Sequence, residues 1–412
     1  MGETTIWVQG YVNLAVLLLG ALPLVVPTGY SVGAVLLLLG SAVLLVQRPR
    51  LGLSYQDWLI IAAMAFYAVV GMGDAWWGGA SSREMDKPVR FLLAIPAMLL
   101  VMAYPPRRRW LWVGLALGAT GAGALGGWQF FIEGVSRASG LTQAIQFGNL
   151  ALLLGFLCVA GMGWAWAQPQ RRFWLALLLL GALGGVAASL LSGSRGGWVG
   201  LPLILWVLYR GYGREFALRW RLAAVMAVVL AAGAVYATPQ LGVQGRVDQA
   251  VTEFGGYLRG EDRTSSVGVR FEMWKGAARI GWENPVLGVG IAQFESAMGE
   301  LAEQGVIVDR AKEFGHAHNE FLDTWAKRGA LGLAALLIVY LVPIRLFANG
   351  INHPDLQIRS LAVAGTLLPV AFIDFGLTQG FFSHNSGVMV YAFWLAVLWG
   401  SFSMRLKVAG RG

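Results

Sequence analysis

Long apolar runs separated by short polar breaks fill most of the chain. The runs recur at about 17–22 residues, enough for a helix to cross the hydrocarbon core of a bilayer. About twelve spans are predicted, over approximately residues 7–26, 30–46, 58–70, 89–103, 110–131, 149–167, 173–191, 198–208, 222–236, 330–347, 361–377 and 387–404. The stretches 58–70 and 198–208 are short for a crossing. Trp and Tyr stand near many of the ends, as they do at membrane–water boundaries. Between the ninth and tenth spans the pattern changes to about ninety largely polar residues, too long for a connector. Within them residues 269–280 carry Gly only at Gly276 and read as a helix that Asn284-Pro285 ends. Gly288-Val289-Gly290 reads as a tight turn. The predicted organisation is nine membrane helices over 1–236, one large loop containing helices over 237–329, and three membrane helices with a tail over 330–412.

Composition agrees with this pattern. Of 412 residues, 57% are hydrophobic and 13% charged, a charged share about half that of a soluble domain. The fold class expected is an all-α polytopic membrane protein. The one cysteine, Cys158, lies in an apolar run, so no intrachain disulfide and no thiolate metal site are expected. The net charge of +9 acquires meaning once it is assigned to sides of the membrane. With the N-terminus in the cytoplasm, the inner loops hold Arg48 and Arg50, Arg107 to Arg109, Arg171 and Arg172, Arg210, Arg214, Arg219 and Arg221, Arg345 and Arg359; the tail adds Arg405, Lys407 and Arg411. The outer loops near Pro27, Phe131 and Gly380 carry almost none, so both termini are expected inside and 237–329 outside. The positive charge therefore marks orientation, and no nucleic-acid partner is implied.

Several cations remain on the outer side, where orientation does not require them: Lys87 and Arg90, Arg195, Arg263 and Arg270. Arg195 sits in Ser192-Gly193-Ser194-Arg195-Gly196-Gly197, between two apolar segments. Glycines there let the backbone approach a ligand, and a guanidinium fork matches phosphate oxygens. The plainer alternatives are a loop Arg reaching lipid headgroups, and for Arg270 an ion pair with Glu272 or Asp262. Lys87 and Arg90 could equally anchor a helix end to phospholipid.

Two of the four histidines stand in His316-Ala317-His318-Asn319, at the end of the outer loop. Three readings are open. In an extended strand, His316 and His318 would share a side and could hold a metal, given a third ligand from Glu313, Glu320 or Asp323. His318 and Asn319 could cap the following helix. Or a neutral imidazole could take a proton from a hydroxyl as it attacks, with Glu320 or Asp323 fixing its tautomer. His384 is also external, with Asp374 near the end of the preceding span; His353 lies in an inner loop beside Pro354.

Taken in order, the Ser-Gly-Ser-Arg-Gly-Gly turn, the Arg270…Trp274 helix, Asn284-Pro285-Val286-Leu287-Gly288-Val289-Gly290, His316-Ala317-His318-Asn319-Glu320-Phe321-Leu322 and Arg328-Gly329-Ala330-Leu331-Gly332 form a pattern. It resembles the bacterial O-antigen ligase and O-antigen polymerase superfamily, over about residues 191–332. The resemblance implies a membrane glycosyltransferase of GT-C-like helical architecture in the bacterial inner membrane, with the large loop and the active site on the periplasmic side. It implies transfer of O-antigen from undecaprenyl diphosphate to lipid A–core in lipopolysaccharide biosynthesis, with no metal and no cofactor. Carried over by motif, Arg195 and Arg270 would bind the donor diphosphate and His318 would be the catalytic base. Lys87 or Arg90 would supply a further cation, and His316 and Asn319 further substrate contacts. Direct attack opposite the diphosphate would invert the anomeric centre. A polymerase of the same superfamily, or a ligase acting on protein, would use the same pocket. A twelve-helix transporter is the alternative of a different class; it lacks support from half-to-half symmetry or from charges at mid-membrane depth.

Overall fold

The computed structural model describes residues 3–194, 196–238 and 242–410, and among them helices are the only regular elements. In chain order these are α1 (Glu3–Ala21), α2 (Gly29–Gly40), α3 (Val43–Gln47), α4 (Tyr55–Trp77), α5 (Ser82–Ala103), α6 (Arg108–Gly127), α7 (Ala144–Trp166) and α8 (Arg171–Ser192). Then come α9 (Leu201–Gly211), α10 (Leu218–Ala237), α11 (Val243–Leu258), α12 (Ser266–Glu283), α13 (Phe294–Glu303), α14 (Glu320–Ala348), α15 (Leu356–Gly376) and α16 (Asn385–Ala409).

Every predicted span falls on a helix. Among the described residues nine helical stretches are long and apolar enough to cross a membrane, with α2 and α3 joined as one. The other three predicted spans fall on α1, α5 and α9. Helix α5 carries five charges before its apolar part, Arg83 to Arg90, and α9 has only 11 residues. Even so, α9 links the two ends of the bundle. The Gly200 amide donates to Asp374 near one end of α15 (2.5 Å), and the Gly211 carbonyl accepts from Arg359 near the other (3.4 Å). Those α15 residues are fifteen positions apart, about 22 Å along a helix.

Small residues let these helices approach. Gly114 and Gly118 of α6 lie against the backbone of α1 at Leu17 and Gly20, and Gly181 and Gly185 of α8 lie against α6 and α7. Without a hydrophobic drive between helices in lipid, such contacts gain by dispersion over closely packed backbones. Helices α7, α15 and α16 form the buried centre, whereas α10 presents no buried residue among those described.

The two ends of the bundle differ chemically. At one end the basic loops that the sequence pattern assigns to the inner side meet carboxylates: Lys407 and Ser403 donate to Asp57 of a Ser54 capping box, Arg405 pairs with Asp355, and Arg359 pairs with Glu215. At the other end, α11 to α13 and the start of α14 form a polar platform with a small core of its own, including Val269, Met273, Ile280, Phe294, Met298 and Ala317. The sequence placed the boundary of this platform at 329. Helix α14 has a non-helical residue at Gly329 (φ 59°, ψ −157°), where it breaks. Residues 284–290 wrap round the break. Ala330 and Leu331 donate backbone N–H groups to Pro285 (2.8 Å) and Val286 (3.2 Å), while Val289 and Gly290 donate to Ala326 (3.0 Å) and Lys327 (2.8 Å). The predicted turn residues Gly288 and Gly290 have positive φ, and a Cβ on Gly288 or Gly329 would run into the opposing backbone.

Gly329→Ala should therefore cost about 1–3 kcal/mol for a backbone conformation open essentially to glycine alone, with the steric clash in addition. Gly73→Ala, where no atom lies within 4 Å of the added methyl inside α4, should be neutral or slightly stabilising. Thermal unfolding of both variants in detergent checks the contrast; equal melting temperatures would remove the constraint at Gly329.

Candidate active site

Residues 315–319 are built onto the start of α14 by its own side chains. Ala317 is buried in the platform core, and its N–H donates to Asp323 Oδ1 (2.8 Å). Lys327 bridges Asp323 Oδ2 and the Gly315 carbonyl, at 2.9 Å each. The Asn319 side-chain oxygen caps α14 by accepting from Phe321 and Leu322 N–H (3.0 Å each), and its amide nitrogen donates to the Leu377 carbonyl (3.2 Å). With Ala317 pinned inward, His316 and His318 lie beside each other, ring centroids 4.2 Å apart. The expected proximity holds, but the backbone is not an extended strand, because His318 adopts a left-handed φ of 50°. A non-glycine residue holds such a conformation at a cost of order 1 kcal/mol.

His384, at the start of α16, completes a row, 6.0 Å from His316. Gln379 spans it: its side-chain oxygen faces His318 Nδ1, and its nitrogen lies 3.2 Å from His384 Nε2. Burial holds the imidazoles of His318 and His384 down to a pKa of about 4, well below the usual 6.5, assisted for His318 by His316 and Arg270 and for His384 by His316 and Lys87. Burial also lowers His316, against the pull of Asp323. All three are therefore neutral at physiological pH. Among the described residues no group of three or more His, Cys, Asp or Glu side chains is placed to hold a metal ion.

Two cavities lie near the row, one lined by His316 and His384 and the other by Arg270, whose charge acts on His318. One, of about 290 Å³, is lined by Arg137, Arg270 and Thr378 together with Gly193, Ser194 and Gly196 of the glycine-rich turn. That turn is held from beneath, since Ser194 Oγ donates to Asn149 (2.8 Å) and Arg137 Nε donates to the Ser192 carbonyl (2.9 Å). A Cβ on Gly197 would crowd Asn149 and Phe375. The second cavity, of about 310 Å³, contains Lys87, His316, His384, Glu320, Asp323 and Arg328. Aromatic rings floor it, with Phe382 packed on Tyr67, Phe91 and Tyr391 at centroid distances of 5.4, 5.3 and 5.1 Å.

Of the residues singled out by sequence, His316, His318, Arg270 and Lys87 come together at this end of the bundle. Arg195 lies outside the described residues, although its neighbours Ser194 and Gly196 line the Arg270 cavity. Arg90 is turned elsewhere, pairing with Asp86 and donating to the Asn385 carbonyl, so Lys87 is the cation that faces a cavity. Asn319 has both ends of its amide committed and serves as a cap rather than a cavity residue. The carboxylates considered as tautomer-fixing partners are engaged elsewhere: Asp323 holds Ala317, and Glu320 accepts from the Phe382 amide (2.9 Å). Glu272, an expected partner for Arg270, is taken by Arg263 (3.0 Å), Tyr257 (2.9 Å) and the Val308 N–H (3.2 Å). Sequence reasoning passed over Arg137, Gln379 and the Asp74–Arg328 pair (2.8 Å).

A multi-pass helical membrane protein with neutral histidines and arginines gathered at one end defines the class. Residues 180–337, from within α8 to within α14, match the family described as O-antigen ligase. That match supports a place in the O-antigen ligase/polymerase superfamily, whose members are glycosyltransferase-like enzymes. The chain is also similar, at 28% identity over 385 residues, to a protein of Haemophilus influenzae described as uncharacterized, covering 92% of this chain and 95% of the relative.

The neutral state of His318 has a signature in stability. Its folded pKa of about 4 lies below its ordinary 6.5, so its contribution is complete above about pH 6.5 and is lost as pH falls towards 4. His318→Asn should unfold near the wild-type temperature at neutral pH, because Asn accepts a left-handed backbone. Below pH 6.5 it should lose less stability than wild type. Parallel unfolding curves across that range would mean that His318 ionises freely in the fold.

Proposed function

We propose that the protein is an O-antigen ligase of the bacterial inner membrane, transferring a glycan from undecaprenyl diphosphate to a sugar hydroxyl of lipid A–core at the periplasmic face. The observation that carries this reading is the row of neutral histidines beside the cavity that holds Arg270 and the glycine-rich turn. In this reading the diphosphate binds in that cavity, against Arg270, Arg137 and the glycine-rich turn at Ser194 and Gly196. Preorganised cations there stabilise the charge that develops on the leaving group. The acceptor hydroxyl approaches from the Lys87 side. Its oxygen bonds to the anomeric carbon while the bond from that carbon to the diphosphate oxygen breaks. The diphosphate leaves with the electron pair, and the hydroxyl proton passes to His318. Attack opposite the leaving group inverts the anomeric centre.

The electrostatics of the free site suit this order of events. Burial and cations keep the imidazole unprotonated, and hence a base, before the donor arrives. A bound diphosphate offsets Arg270 and raises the proton affinity of His318 when the proton must be accepted. No metal is required for this charge balance, because guanidinium groups occupy the place of a Lewis acid.

Purified protein in nanodiscs, given the lipid-linked glycan and offered lipid A–core or a second lipid-linked glycan in separate reactions, tests the assignment. Transfer to lipid A–core is expected, in the presence of chelator and with inversion. Transfer only to the second glycan would make the protein a polymerase. His318→Ala should lower the rate by roughly 10²–10⁴-fold while the protein still folds. Arg270→Ala should raise KM for the donor, and Lys87→Ala KM for the acceptor; the reverse pattern would exchange the two cavities.

A further inference from the structure

Gln379 lies in the turn between α15 and α16, is 1% exposed, and is fixed by its own N–H donating to the Phe375 carbonyl (3.0 Å). Its side chain crosses the histidine row. An amide oxygen only accepts hydrogen bonds and an amide nitrogen only donates them. The ring nitrogen of His318 that faces the oxygen, Nδ1, must therefore carry the hydrogen. A neutral imidazole has one N–H, so Nε2 keeps the lone pair. The nitrogen of His384 facing the Gln379 amide N–H, Nε2, must be bare, which puts that ring's proton on Nδ1. The Gln143 side-chain nitrogen lies 3.1 Å from that Nδ1; with the Gln143 amide turned over, exchanging its oxygen and nitrogen, the oxygen accepts the Nδ1–H. With the Gln143 amide so turned, one consistent chain of donors runs from His318 to Gln379, Gln379 to His384 and His384 to Gln143.

Resting on the reading of His318 as the base, we propose that Gln379 is its positioning residue: it fixes the imidazole as the Nδ1–H tautomer and presents Nε2 as the basic nitrogen, with His384 anchoring the far end of the amide. The neutrality of this partner is itself functional. A carboxylate in the same place would fix the same tautomer, but it would also pair with Arg270 and compete with an anionic donor. The groups that face His318 are Phe314 and His316 from its own loop, Arg270 from α12, and Gln379 and His384 from the α15–α16 turn. None is a carboxylate.

The test combines two variants with a tautomer measurement. ¹⁵N resonances of histidine-labelled wild type, assigned to His318 by comparison with His318→Asn, should show Nδ1 protonated and Nε2 bare. Gln379→Met should mix the tautomers and lower kcat by roughly tenfold or more, with KM for the donor unchanged. Gln379→Glu should recover kcat at alkaline pH, with the acid limb of the rate profile moved to higher pH because a carboxylate raises the proton affinity of the ring. A bare Nδ1 in wild type, or wild-type kcat and pH profile in Gln379→Met, would overturn the proposal. The assignment of the base is judged separately, by His318→Ala: full activity there removes the base, while the tautomer spectrum still reports on Gln379.

Discussion

The site depends on a backbone clasp. Four N–H···O=C bonds tie residues 284–290 to the two sides of the break at Gly329. An unbroken helix would carry α14 straight out of the bundle and leave those backbone groups to other partners. With the break, the apolar length after 329 serves the bundle and the turns before it become the base of the platform. Arg328, at the hinge, pairs with Asp74 of α4, and Asp74 also accepts from the Ile291 N–H (3.1 Å), so the clasp is pinned to the bundle from the side. Lys327, the residue before Arg328, and Asp323, one turn before Lys327, hold the loop that carries the histidines. The position of His318 is thus set by backbone geometry some ten residues away.

The second organising feature is the disposition of charge. Carboxylates near the site are committed to structural donors: Glu272 to Arg263, Asp323 to Lys327 and a backbone amide, Glu320 to the Phe382 amide, Asp74 to Arg328. The cavity beside Arg270 has one carboxylate of its own, Glu253, which accepts from the Val267 N–H (3.0 Å) and the Gln249 side chain (2.7 Å); Arg137 and Arg270 outnumber it and leave the lining net positive. The same cations, together with burial, keep the imidazoles neutral. One arrangement therefore supplies both an anion site and an unprotonated base, two properties that would conflict if a carboxylate stood beside the histidine.

Much of this was legible one-dimensionally. Every predicted span lies on a helix, and α9, doubtful by length, still runs between the two ends because its partner contacts on α15 lie at opposite ends of that helix. The helix ending at Asn284-Pro285, the Gly288–Gly290 turn and the change of character at 329 were also readable, since Pro, Gly and apolar length act locally on the backbone. The motifs around Asn284 and Arg328, separate in sequence, are the two halves of the clasp. Side-chain assignments were less legible. Lys87 and Arg90 sit three residues apart with the same charge, and only the approach of α16 and of Asp86 takes Arg90 away. Asn319 looked like both a ligand and a cap, and two helix N–H groups with one distant carbonyl make it a cap.

By itself the sequence determined what depends on local free energy: which segments prefer lipid, where helices stop, which loops gather the positive charge, and which family the motifs resemble. The tertiary structure decided what depends on meetings between distant segments. It brought the α15–α16 turn against the loop of residues 315–319, so that an amide rather than a carboxylate faces His318. It gave Glu272 to Arg263, and it set the glycine-rich turn beside Arg270. Hydrogen-bond pairing is short-ranged and directional, so its outcome follows from the packed arrangement and has no counterpart in hydropathy or spacing.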